Sequence, residues 1–167
     1  MRLFAAIVFP PTVGETLRLA QAELRRLGQG GSFPPPENLH LTLSFLGETQ
    51  RLDDARAAVA ACGGFGGFSI MLSGFGRFGD LWWAGVRPSP RLDGLERRLR
   101  NALRDRGFSP EERPFIPHVT LARRLTLPPD AEPADFSAAA PVSAVTLLES
   151  HLGDGPPRYT PICKQSL

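Results

Sequence analysis

Residues 38–46 read NLHLTLSFL, and residues 117–122 read PHVTLA. The first stretch alternates. Leu39, Leu41, Leu43 and Phe45 fall on one side, and His40, Thr42 and Ser44 fall on the other. A period of two marks a half-buried β-strand. Alone, the polar side reads as an ordinary solvent-facing stripe. The second stretch changes that, because His118-Val119-Thr120-Leu121 repeats His40-Leu41-Thr42-Leu43 in a chain with 3 histidines. Shuffled residues would give two of three histidines this spacing roughly once in ten thousand, a useful false-positive bound.

Outward from these two strands, the order of elements predicts an α+β fold. Residues 2–9 read as a buried strand rather than a signal sequence, because Pro10 and Pro11 end a short apolar run. Val13, Leu17, Ala20, Leu24 and Leu27 predict a helix over 11–27, stopped by Gly28. GQGGSFPPPE, residues 28–37, reads as a loop into the first histidine strand, 39–46. A short alanine-rich helix is expected over 53–61, then strands over 69–73 and 81–87 around the turn GFGRFGD. Ser89 as N-cap and Pro90 at the first helical position open a helix that Gly107 ends. The second histidine strand, 118–123, follows the loop FSPEERPFIP. TLPPDAEPADFS reads as another loop, and 142–150 and 158–163 as the last strands. Each half thus places a helix before a strand bearing His-x-Thr. Two pseudo-twofold lobes are expected, with few helices for a doubly wound sheet.

Bulk properties narrow the function classes. The 167 residues suit one domain, or two small lobes sharing a core. With 42% hydrophobic and 22% charged residues the chain reads as globular rather than disordered. No apolar run approaches the ~20 residues that span a bilayer. Cys62 and Cys163 lack metal-ligand spacing and read as free thiols of a reducing compartment, with one disulfide between them as the alternative. Lys164 is the only lysine, so arginine carries almost all the positive charge. That bias reflects either genome composition or recognition of oxyanions by the guanidinium fork.

The doubled spacing has a chemical use. Strand side chains two apart share a face, about 7 Å from one another. His40 with Thr42, and His118 with Thr120, would therefore converge on one groove if the two strands lay side by side. Two imidazoles can act as base and acid near neutrality, and two hydroxyls can donate to an anion. Such a set suits in-line displacement at phosphorus. A metal site would need acidic or cysteine ligands at strand spacing, and neither stretch has them.

PPENLHLTLSFLGE and ERPFIPHVTLAR resemble the two signature stretches of the 2H phosphoesterases. More closely, they resemble the RNA 2′,3′-cyclic phosphodiesterases of bacteria and archaea, historically named 2′-5′ RNA ligases. The likeness extends to MRLFAAIVFP, LWWAGV, RGFSPEERPF and LLESHLGDGPPRYTPI, which is most of the chain. It implies one bilobal α+β domain over residues 1–167, made of two intertwined antiparallel sheet lobes with outer helices and a central cleft. It implies metal-independent hydrolysis of RNA 2′,3′-cyclic phosphate ends to 2′-phosphomonoesters, without a cofactor, in the cytoplasm. No membrane and no obligate protein partner are implied. By the same resemblance His40 would be the acid and His118 the base. Thr42 and Thr120 would donate to the phosphate, Arg123 would help hold it, and Phe45 would stack on the terminal base. Alternation alone sends Phe45 and Arg123 to the face opposite the histidines, so reaching the cleft requires a bulge in each strand.

The sequence departs from the family at two positions: Phe33 stands where a tryptophan is frequent, and Ile116 where an arginine is. Arg113 or Arg124 would then have to supply the lost cation. His151 reads as a structural residue at a strand end, and Tyr159 as core or cleft lining. Of Trp82 and Trp83, one should face the core and one the opposite side. Two other readings stay open: an RNA-end binding module without turnover, and an enzyme for a small cyclic nucleotide. Ligation, the reverse of transesterification at the same site, is a further possibility of the chemistry.

Overall fold

A computed structural model describes residues 1–167. Its elements run β1 (Arg2–Val8), α1 (Pro11–Leu27), β2 (Gln29–Ser32), β3 (His40–Glu48), α2 (Leu52–Ala60), β4 (Phe68–Phe78), β5 (Leu81–Val86), α3 (Pro90–Asp105), β6 (His118–Thr126), β7 (Ser137–Val142), β8 (Ala144–His151) and β9 (Arg158–Ser166). The strands pair antiparallel in the order β7-β4-β5-β6-β3-β1-β8-β9, with β2 added to β6. The two histidine strands are the middle pair. They touch through one register pair, Leu41 with Val119. On either side stands a four-stranded lobe, β7-β4-β5-β6 and β3-β1-β8-β9. The curled sheet and its three helices form the α+β architecture expected from element order.

The helices form where periodicity and caps agree. In α1 the buried stripe is Val13, Leu17, Ala20, Gln21 and Leu24. In α3 it includes Leu92, Leu95, Leu99 and Leu103. The Ser89 side chain accepts from the Leu92 N–H at 3.1 Å, satisfying one of the donors a helix start leaves free. At the other end Gly107 adopts φ 79, and the N–H groups of Gly107 and Phe108 bond back to Arg104 and Leu103. That is a Schellman stop, which favours glycine. One apolar cluster on the helix side takes residues from both lobes, including Leu41, Leu43, Val119, Leu121 and Leu125.

Three segments differ from the sequence reading. The 28–37 loop contains β2, a short and fully exposed strand held by pairing with β6. β7 begins at Ser137, inside the loop expected up to that residue, because the small Ala138–Ala140 run pairs along β4. β4 extends through most of the expected GFGRFGD turn to Phe78. Gly76 lies within it because the Trp83 ring rests there: a Cβ on Gly76 would stand 2.1 Å from that ring. Gly76→Ala is therefore expected to displace Trp83 and lower the midpoint of thermal unfolding.

Leu121 is fully buried at the centre of this core. Leu121→Ala should cost about 2–5 kcal/mol, for lost burial plus the cavity left behind. Urea unfolding checks it.

Candidate active site

Each histidine opens its strand, and the residue after it is buried on the helix side, Leu41 in β3 and Val119 in β6. His40 and Thr42 therefore face the other way, as do His118 and Thr120. Continuing the Leu41–Val119 register sets His40 opposite Thr120 and Thr42 opposite His118. That register makes His40 and His118 diagonal neighbours, which lie about 7–8 Å apart. All four residues line one cleft of about 1030 Å³.

Both bulges exist, and they are matched. In β3 the pairing with β1 passes from Ala6–Thr42 to Ala5–Ser44, so Leu43 is the extra residue. In β6 the pairing with β5 passes from Trp83–Thr120 to Trp82–Ala122, so Leu121 is the extra residue. Each extra leucine goes into the core. Each bulge reverses the facing of the residues beyond it, as an inserted residue must. Phe45 and Arg123 are thereby returned to the histidine face and line the cleft. Phe45 is 68% exposed, an open aromatic surface rather than core. Gln21, buried on α1, donates to the carbonyls of Leu121 at 3.1 Å and Pro34 at 2.9 Å. It thus ties the β6 bulge to the loop beneath the cleft.

The imidazoles are oriented alike. His40 Nδ1 donates to the Asn38 carbonyl at 2.6 Å, and His118 Nδ1 donates to the Ile116 carbonyl at 2.7 Å. A carbonyl only accepts, so each Nδ1 carries the hydrogen and each Nε2 is left for the cleft. Nε2 of His40 accepts from the Thr42 hydroxyl at 3.0 Å. Phe4 and Tyr159 pack on His40 with centroids at 5.0 and 5.3 Å. Phe78 and Trp83 pack on His118 at 5.3 and 5.9 Å. Burial holds the pKa of His40 below the usual imidazole value; the His118 and Arg123 charges push the same way, against the Asn38 carbonyl.

Several residues that pack on the histidines had no signal of their own in the sequence. Phe4, Phe78 and Trp83 reach the histidines only through the register of neighbouring strands. Trp82 faces the core and donates to the Leu125 carbonyl at 3.2 Å, so the two tryptophans do divide. Tyr159 lines the cleft. His151 does not; it bonds the Thr160 hydroxyl at 3.0 Å. Of the two candidate replacement cations, Arg124 lines the cleft, while Arg113 is exposed and paired with Glu111. Phe33 also lines the cleft, with the Arg25 guanidinium 4.2 Å from its ring centroid. No three His, Cys, Asp or Glu side chains converge anywhere as a metal-binding group.

Comparison with known proteins identifies the family and the fold. The family model of the 2′-5′ RNA ligase superfamily matches residues 9–154. An RNA 2′,3′-cyclic phosphodiesterase of Thermotoga maritima is 37% identical over 74% of this chain and 70% of its own length. A crystal structure from Thermus thermophilus superposes with a TM-score of 0.89 at 32% identity, covering 100% of this chain and 98% of the other. E. coli LigT complexed with 3′-AMP superposes at 0.80 with 32% identity, covering 99% of this chain and 97% of the other. By motif, fold and sequence, the chain belongs to the 2′-5′ RNA ligase superfamily.

Proposed function

We propose that this protein hydrolyses RNA 2′,3′-cyclic phosphate ends to 2′-phosphomonoesters, with His40 and His118 as its acid–base pair and no metal. One observation carries the reading: two histidines with carbonyl-anchored Nδ1–H groups, turned toward one cleft that also holds Thr42, Thr120 and Arg123. The names of the relatives supply the substrate class. The donors around the histidines are hydroxyls and guanidinium groups, which suit an oxyanion rather than a divalent cation.

A water oxygen attacks phosphorus in line with the 3′ oxygen. One Nε2 takes the water proton while the other Nε2–H gives its proton to the departing 3′ oxygen. The P–O3′ bond breaks, and the phosphate stays on the 2′ oxygen. Thr42, Thr120 and Arg123 donate to the non-bridging oxygens, where charge builds. Phe45 stacks on the terminal base, a contact worth about 1–3 kcal/mol. Phe45→Ala should therefore raise KM by about 5- to 150-fold with a smaller change in kcat, measured on a cyclic-phosphate-ended oligomer.

The resemblance makes His40 the acid and His118 the base. A second assignment exchanges them, and one observation favours it: burial favours neutral His40, the form a base needs. The pH dependence of kcat/KM separates the two. If His40 is the base, its lowered pKa sets the acid limb and activity persists below the usual imidazole range. If it is the acid, the same pKa sets the alkaline limb and activity falls early as pH rises.

The shared apolar core supports reading residues 1–167 as one domain of two intertwined lobes. A single coincident unfolding transition by tryptophan fluorescence and circular dichroism is expected; two separated transitions would contradict it.

A further inference from the structure

The cleft is at the upper end of small-molecule sites, which run to about 1,000 Å³, and offers more room than one nucleotide fills. Its long axis can be read from the register. β3 and β6 run antiparallel through Leu41 and Val119, so Phe45 lies toward one mouth and Arg123 and Arg124 toward the other, with the histidines between. An RNA ending in a 2′,3′-cyclic phosphate continues only on its 5′ side. Everything beyond the terminal nucleotide must leave by one of these mouths.

Arg124 stands out at its mouth. It is the one non-glycine residue with a positive φ, 54. That backbone region costs about 1–3 kcal/mol and persists only where the surroundings hold it. Here they do. Gly30 on β2 faces it so closely that a Cβ there would lie 3.3 Å from the Arg124 carbonyl oxygen. The left-handed turn breaks alternation, so two consecutive arginines both line the cleft, beside Ser32 and Phe33. The chain's arginine–carboxylate pairs involve Arg18, Arg26, Arg51, Arg100 and Arg113. Arg123 and Arg124 are in none of them, so their guanidinium groups remain available to an oxyanion. The Phe45 mouth sets the Glu48 carboxylate beside Arg2, which is less favourable to a phosphodiester.

We infer that Arg124 is a specificity residue: it binds an internucleotide phosphate upstream of the reacting end and selects RNA strands over mononucleotides. The inference rests on the hydrolytic reading of the cleft. Arg123 serves the reacting phosphate, and Arg124 serves a second one.

The test compares wild type with Arg124→Gly, which suits the same backbone, and with Arg2→Gln. Substrates are a short cyclic-phosphate-ended oligoribonucleotide and a 2′,3′-cyclic mononucleotide. In Arg124→Gly the oligomer-to-mononucleotide ratio of kcat/KM should fall by about tenfold or more, carried by KM, as expected for a lost charge-assisted bond. The salt dependence of oligomer binding should become shallower by about 0.7 in log–log slope. An unchanged ratio overturns the inference, as does a fall in Arg2→Gln but not in Arg124→Gly. Anisotropy with a 2′-phosphate-ended oligomer reads the same difference without turnover. If wild type hydrolyses neither substrate, the hydrolytic reading fails instead, and the anisotropy still decides for or against Arg124.

Discussion

Replacing His118 by alanine is expected to lower kcat on a cyclic-phosphate substrate by about 10²–10⁴-fold, and replacing His40 by a similar factor. The two losses should not add. Once either proton transfer is gone, the other has no concerted partner, so the double variant should be little worse than the poorer single. Circular dichroism should show the fold intact, because both side chains face the cleft and the core lies behind them. The roles can be separated by leaving-group chemistry. A substrate with sulfur at the 3′ leaving position needs no proton on departure. It should restore the variant that lacks the acid and leave the variant that lacks the base slow.

The second large effect belongs to the threonines. Thr42→Val and Thr120→Val should each lower kcat by about 10²-fold, the usual loss when one oxyanion donor is removed. The change keeps the shape and removes only the hydroxyl. Thr42 carries a further consequence. Its hydroxyl donates to His40 Nε2 at 3.0 Å in the free protein, a bond that must break when it turns to the phosphate. Losing it frees the His40 lone pair and should move the limb of the pH profile that His40 controls, whereas Thr120→Val should not. Rate–pH profiles of both variants check this.

Much of the fold was legible because its signals are local. α1 and α3 declare themselves by stripe, cap and stop, and the structure places them accordingly. The candidate site was legible because the four residues that meet in the cleft sit in two copies of one spacing. What could not be read is set by pairing. Leu43 and Leu121 look like ordinary alternating leucines, yet each is the extra residue of a bulge, and only the partner strand reveals it. Those bulges decide that Phe45 and Arg123 line the cleft. Phe4, Phe78 and Trp83 belong to strands distant in sequence and meet the histidines through register alone. β2 has two glycines in four residues and no periodicity; β6 supplies its order.

Two histidines, acting without a metal, are proposed to open a 2′,3′-cyclic phosphate toward the 2′ ester. The decisive experiment incubates the protein, in EDTA, with an oligoribonucleotide ending in a 2′,3′-cyclic phosphate and identifies the product by ³¹P NMR. Wild type should convert it fully to the 2′-phosphomonoester, and the His40→Ala, His118→Ala double variant should convert next to none. A 3′-phosphate product, loss of activity in EDTA, or equal conversion by the double variant would contradict the two-histidine mechanism.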